Sequence, residues 1–149
     1  MSFFNFFKKK QPQTPQKVVL ADLPALNAWS VFYQQSQFNL YCRFAGSLPG
    51  DNADSIYLKS YPELPQLERM LFGDWLYIAF NGIFLQRWDA PDGSTTSLLF
   101  IDTETLTVKE IKTDISGKNW SAYLQNNALV FTFSGAAKEV AAITVADTK

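Results

Sequence analysis

The sequence predicts a mainly β protein built from antiparallel hairpins, and three observations carry that prediction. First, one phrase recurs three times. Asn27-Ala28-Trp29 leads to Tyr33, Gln37 and an apolar run at 40–44. Asp74-Trp75 leads to Tyr77, Asn81 and a run at 83–88. Asn119-Trp120 leads to Tyr123, Asn127 and a run at 129–133. The Trp-to-Trp steps are 46 and 45 residues, which is the period of blade-like repeat units. Second, 47% of the chain is hydrophobic and 15% aromatic, a globular composition rich in residues that suit a pleated surface. Third, short polar turn signals punctuate the apolar runs at hairpin spacing.

The elements follow in order. Residues 1–10 read MSFFNFFKKK, and 11–16 (QPQTPQ) form a polar, proline-broken spacer. Residues 1–16 are therefore expected to be a flexible lead, and 17–149 one β-rich domain. A chain of this size buries enough surface for a core without staples. Residues 18–20 are a short strand candidate. Asp22-Leu23-Pro24-Ala25-Leu26 has a near copy at Glu63-Leu64-Pro65-Gln66-Leu67. Proline suits a first helical turn, and an acidic side chain suits its positive end. In the second copy Leu64, Leu67 and Leu71 make a helical stripe with Gly73 as C-cap, so a helix is expected over 65–72.

The middle hairpin is the clearest. Residues 75–80 run out, Asn81-Gly82 turns, and 83–88 return. Asn-Gly supplies two positive-φ positions, as a type I′ turn requires. Asn126-Asn127 takes the same place in the third unit. Ser36-Gln37 is a poorer turn, and a helix over 24–35 competes with the first hairpin. A further strand follows each hairpin, at 55–58, 97–101 and 140–145. The middle unit continues through a polar turn at 102–105 into 106–112. Two architectures fit: blade-like sheets, or one strongly bent sheet or barrel carrying one or two short helices. A closed propeller needs more blades than three, so blades imply an open arrangement or self-association.

Composition also excludes chemistry. Histidine is absent, which removes His-based triads and His-containing metal sites. The lone Cys42 forms no intramolecular disulfide and has no His base to activate it. No phosphate-cradling glycine motif appears. No cofactor and no metal are expected. Lys8, Lys9 and Lys10 are clustered, which leaves the remainder about four charges acidic. That balance disfavours nucleic acid. No apolar run is long enough to span a bilayer, and no secretory pattern opens the chain, so the expected location is cytoplasmic.

Surface candidates remain. Phe3, Phe4, Phe6 and Phe7 followed by Lys8, Lys9 and Lys10 suit a weak membrane-surface contact. Asp51 and Asp54 share one Gly/Pro loop, and Asp89 and Asp92 flank another. Either pair suits acid–base work or calcium, although neither has the spacing of a calcium loop, or, more plainly, a loop. Arg43 and Arg87 occupy equivalent repeat positions, fit for cation–π or salt-bridge contacts with neighbouring aromatics. Tyr57, Lys59 and Tyr61 alternate with Ile56 and Leu58 and point away from that strand's apolar face. Trp29, Trp75 and Trp120 suit the core first and a binding surface second.

The missing catalytic groups and the acidic body favour a non-enzymatic binding protein. The profile, with the lead Met1-Ser2-Phe3-Phe4-Asn5-Phe6-Phe7-Lys8-Lys9-Lys10, loosely resembles small bacterial toxin-immunity proteins. That resemblance implies a cytoplasmic inhibitor that occludes a basic toxin domain. Asp51, Asp54, Asp89 and Asp92 would face the cleft, and Trp88 or Tyr57 would anchor the contact. The alternatives are a peripheral membrane protein held by the Phe/Lys lead, a hydrolase using the loop carboxylates, and a sugar-binding sheet using tryptophan platforms.

Overall fold

The structure is a computed structural model that describes residues 16–19, 28–48, 54–116, 119–134 and 139–149. It is mainly β and antiparallel throughout. The strands in chain order are β1 (Gln16–Val19), β2 (Ser30–Gln34), β3 (Asn39–Ser47), β4 (Asp54–Tyr61), β5 (Leu71–Ala79), β6 (Gly82–Trp88), β7 (Thr96–Asp102), β8 (Thr107–Ile115), β9 (Asn119–Gln125), β10 (Ala128–Ser134) and β11 (Glu139–Ile143). An eight-stranded sheet runs β2-β3-β4-β5-β6-β7-β8, with β1 paired to β5; β9, β10 and β11 form a second sheet.

The large sheet curls around one core. Every strand from β2 to β8 sends side chains into it: Phe32, Cys42, Leu58, Leu76, Leu85, Leu99 and Val108 among them. Alternation sends the neighbouring residues of β5, β6 and β7 to the opposite face. Trp75, Tyr77, Phe84, Leu98 and Phe100 meet Phe131, Phe133 and Ile143 of the small sheet in a second core. Strands β5–β7 are thus a middle layer with both faces covered. That is why 98–101 reads as an unbroken apolar run rather than an alternating one. The seam is aromatic: Trp75 and Trp120 stack at 3.7 Å, and the Phe131 ring lies 5.1 Å from that of Phe84.

The three repeated phrases therefore build three successive hairpins, but not three blades, because the first two merge into one sheet through β4 and β5. That junction is short. β4 and β5 pair only at Ser55–Gly73 and Ile56–Phe72. From Trp75 to Ile78 the same edge of β5 is taken by β1 instead. β5 bends there, with a register shift against β6 between Phe72 and Leu76.

The helix expected over 65–72 is corrected. Only a 3-10 turn forms, at Pro65–Leu67, and β5 begins at Leu71. Leu64 and Leu67 do bury in the first core, and their spacing of three suits a 3-10 turn as well as an α-helix. Arg69 then adopts a left-handed backbone (φ 62), which stops the helix and turns the chain into the strand. Gly73 is not a cap. A Cβ there would lie 2.7 Å from Gln86 Oε1, and so would disturb the Trp75–Gln86 hydrogen bond of 2.9 Å. In place of the competing helix over 24–35, residues 30–34 form β2; 20–27 lie outside the described residues.

The middle turn slips by one residue. Phe80 and Asn81 are the two left-handed positions (φ 55 and 63), while Gly82 pairs with Ala79 and starts β6. Asn126 and Asn127 are left-handed as expected (φ 48 and 66). In the turn after β7, Asp102 Oδ1 accepts from the backbone N–H groups of Glu104 and Thr105 at 2.9 and 3.0 Å.

Candidate functional site

The site follows from the way β4 leaves β5. Past Ile56, β4 keeps β3 as its neighbour but has no strand on its other edge among the described residues. The chain then doubles back. Ser60 Oγ donates to Pro62 O at 2.8 Å and accepts from Leu64 N–H at 3.0 Å, and this pins the 3-10 turn beneath the strand. Between strand and turn lies a groove of about 420 Å3. Tyr57, Leu58, Lys59 and Ser60 line it from β4, Glu63, Glu68 and Arg69 from the turn, and Trp29 and Arg43 from β2's approach and β3.

The outer face of β2–β4 continues from this groove. Leu40, Cys42 and Leu58 are buried inward, so strand alternation points Tyr41, Arg43, Tyr57, Lys59 and Tyr61 outward. Cross-strand pairing sets them in rows. Val31, Tyr41 and Lys59 form one; Arg43 faces Tyr57 in the next, and Asn39 faces Tyr61. Tyr61 is 71% exposed, Val31 52% and Trp29 37%. The small sheet that covers the outer faces of β5–β7 contributes nothing to this face among the described residues.

Cations organise the aromatics. The Arg43 guanidinium lies 5.2 Å from the Trp29 ring centre and 5.0 Å from that of Tyr57, and Lys59 Nζ lies 4.3 Å from the Trp29 ring. Among the described residues, Arg43, Lys59 and Arg69 face no carboxylate within salt-bridge distance. Arg87, by contrast, is saturated. Its Nε meets Asp89 at 2.6 Å and its Nη2 meets Glu110 at 2.8 Å, and Ser97 Oγ also donates to Asp89. The expected aromatic and salt-bridge contacts of the two arginines are both present, one on each.

The remaining expected site residues fall in different places. Tyr57 is in the groove. Trp88 is a correction: at 6% exposure it lies in the interior and offers no ring to a partner. Asp89 is held by Arg87 and Ser97. Asp92 is exposed in the 90–93 turn and accepts from Ser94 N–H at 2.9 Å. Asp54 opens β4 and accepts from Ser47 Oγ at 2.8 Å. Asp51 and the lead residues Phe3, Phe4, Phe6, Phe7, Lys8, Lys9 and Lys10 lie outside the described residues. Ile56, Phe72 and Arg87 form one cross-strand row, so Tyr57 and the Trp88–Asp92 segment share one region of the sheet with β5 between them.

One step past the Ser55–Gly73 pair, Asp74 feels the charge of Asp54; it is a carboxylate that the sequence did not single out. Burial, and then the Asp54 charge, push the Asp74 pKa up, against its backbone hydrogen bond. Burial pushes the Cys42 thiol up to about 11, away from thiolate reactivity. No group of His, Cys, Asp or Glu that could hold a metal ion occurs among the described residues, and no helix there is long and apolar enough to cross a membrane. Sequence reasoning missed Trp29 as the centre of the site. The available signal was its position opposite Arg43 and Lys59 once 57–61 is read as an alternating strand. Comparison with known proteins adds no family: no family model matches the chain, and no match was found with curated proteins or solved structures.

Proposed function

We propose that this is a non-enzymatic binding protein that acts by covering a protein partner with the outer face of β2–β4. One observation carries the reading: Trp29, Val31 and Tyr61 stand exposed in contiguous rows with Tyr57, Arg43 and Lys59. Aromatic residues and arginine are the side chains that dominate binding energy at protein interfaces, and exposed aromatics in a patch mark such surfaces. Rigid strands hold them, so little order is lost on docking. The finer reading is a cytoplasmic immunity protein that occludes a toxin. It draws support from the likeness of Met1–Lys10 to such proteins. The contact moves, however, from the Asp89 loop to the β2–β4 face, because Asp89 is occupied internally.

The test is co-expression of the protein with the product of its neighbouring gene in a growth assay, with affinity measured on the purified pair. Wild-type protein should restore growth. Trp29→Ala with Tyr61→Ala should weaken the complex by about 30-fold or more, the scale of hot-spot truncation. Asp92→Asn should bind as wild type. Equal binding by all three would move the interface elsewhere, and absence of any complex would remove the immunity reading.

A further inference from the structure

We propose that the groove along β4 takes an extended acidic segment of a protein partner, added as a strand to the open edge of β4 with its carboxylates against Arg43 and Lys59. The inference rests on the binding role of the β2–β4 face and specifies the chemistry that this face recognises.

Three features converge. The first is where the groove lies. Residues 57–60 are consecutive in a strand, so their side chains point alternately to opposite faces, yet all four line the same groove. A groove touched by both alternations runs along the strand's edge rather than over one face. The second is that this edge is unpaired. β4 pairs with β5 at Ser55 and Ile56 only, and among the described residues no strand continues the ladder past Ile56. Backbone N–H and C=O groups at an open edge are a template for another strand. The third is charge. The Arg43 guanidinium carbon lies over the Trp29 and Tyr57 rings, contacts that use no N–H to a carboxylate, and a guanidinium is the side chain best suited to a bidentate carboxylate contact. Lys59 sits over the same indole. Two like charges held on one ring, with no carboxylate within salt-bridge distance of either among the described residues, favour an incoming anion.

The same groove disfavours a polyanion. A nucleic-acid backbone needs a continuous basic track, and here Glu63 and Glu68 line the groove together with the cations. Carboxylates on alternate residues of a strand point to one side. They reach Arg43 and Lys59 while the backbone follows β4. The groove volume suits a few residues of chain rather than a folded domain.

The test uses the full chain and a fluorescein-labelled peptide, Glu-Val-Glu-Val-Glu, read by fluorescence anisotropy. Its Lys-Val-Lys-Val-Lys counterpart, oligothymidylate and inorganic phosphate serve as competitors. The acidic peptide should bind in a salt-dependent way. Arg43→Gln with Lys59→Gln should weaken it at least tenfold while leaving the melting temperature within a few degrees of wild type. An acidic peptide N-methylated on alternate amides should also lose at least tenfold, and bound peptide should slow amide exchange at residues 58–61. Displacement by oligothymidylate or phosphate as effective as by unlabelled acidic peptide would overturn the proposal, and so would equal binding of the methylated peptide. No response to the acidic peptide, with the natural complex still lost in Trp29→Ala plus Tyr61→Ala, would overturn the acidic-strand assignment and leave the face's binding role standing.

Discussion

Gly82 tests whether the middle turn is set by φ or by space. The Asn81-Gly82 pattern makes glycine necessary because a type I′ turn needs a left-handed residue. In the structure that requirement falls on Phe80 and Asn81, and Gly82 is not left-handed. Its role is steric. A Cβ at Gly82 would lie 2.2 Å from Phe100 Cζ, 2.5 Å from Phe100 Cε1 and 2.4 Å from the carbonyl oxygen of Ile101. The ring is 1% exposed and backed by Phe84 at 4.8 Å, and the carbonyl belongs to a strand paired with β6, so neither gives way cheaply. Overpacking of a core costs about 1–3 kcal/mol, and a clash shared by backbone and a trapped ring belongs near 3. Gly82→Ala should therefore lower the melting temperature by roughly 6–12 °C, at 2–4 °C per kcal/mol for a chain of this size. Urea unfolding followed by tryptophan fluorescence gives the free energy directly. Gly82→Asn should cost more than Gly82→Ala, because it is larger. Phe100→Leu should recover part of the Gly82→Ala loss, a coupling of about 1 kcal/mol. The reasoning fails if Gly82→Ala costs less than 0.5 kcal/mol. It also fails if asparagine is tolerated better than alanine, since asparagine accepts left-handed geometry and alanine does not.

Three further outcomes follow from the interior. Thr96 is fully buried and its Oγ1 has no hydrogen-bond partner among the described residues, so Thr96→Val should stabilise by about 1 kcal/mol in urea titration; a loss of stability would mean that the hydroxyl is satisfied. Trp120→Ala removes the stack on Trp75 and the edge contact with Tyr77, and should cost about 3–5 kcal/mol. Amide exchange should accelerate in β9–β11 and hold in β2–β4, and uniform acceleration would refute separate cores. Asp74 has a raised pKa, so its charged form costs folding free energy at neutral pH and its protonated form does not. Wild-type stability relative to Asp74→Asn should therefore rise as pH falls through the raised pKa, reaching parity near the ordinary value of 3.8. A difference that stays constant with pH in thermal melts would refute the shift.

Much of the strand map was legible because it rests on local chemistry. Period-2 alternation placed Tyr57, Lys59 and Tyr61 outward, and asparagine and aspartate marked the turns at Asn126-Asn127 and Asp102. The misses share a physical cause. The Leu64–Leu67–Leu71 stripe fits a helix locally, but Arg69 turns left-handed and Phe72 joins the ladder, so long-range pairing overrides a short apolar period. The middle turn slipped because the space around Phe100 is a tertiary fact. Trp88 is hydrophobic in a loop-flanking position, where burial depends on which strands arrive around it. Trp29, Trp75 and Trp120 open equivalent phrases, and nothing local separates the one that ends exposed from the two that stack.

That divergence is the strongest argument about function. Equivalent phrases built three hairpins, and in two of them the tryptophan closes the seam between sheets. The outer faces of β5–β7 present Phe84, Leu98 and Phe100, which water would penalise, and the small sheet covers them. The outer face of β2–β4 presents Tyr41, Tyr57 and the exposed Tyr61 with cations that lie over an indole, amphipathic side chains that tolerate water without needing a cover. A face needed only for folding would serve as well with threonine and lysine at these positions. Trp29, Val31 and Tyr61 instead stand exposed there, which is consistent with the binding role proposed for this face. The open edge of β4 lies beside them because the chain leaves the sheet there: the ladder past Ile56 would need residues 69–71 extended, and the 3-10 turn at Pro65–Leu67 and the left-handed Arg69 prevent it.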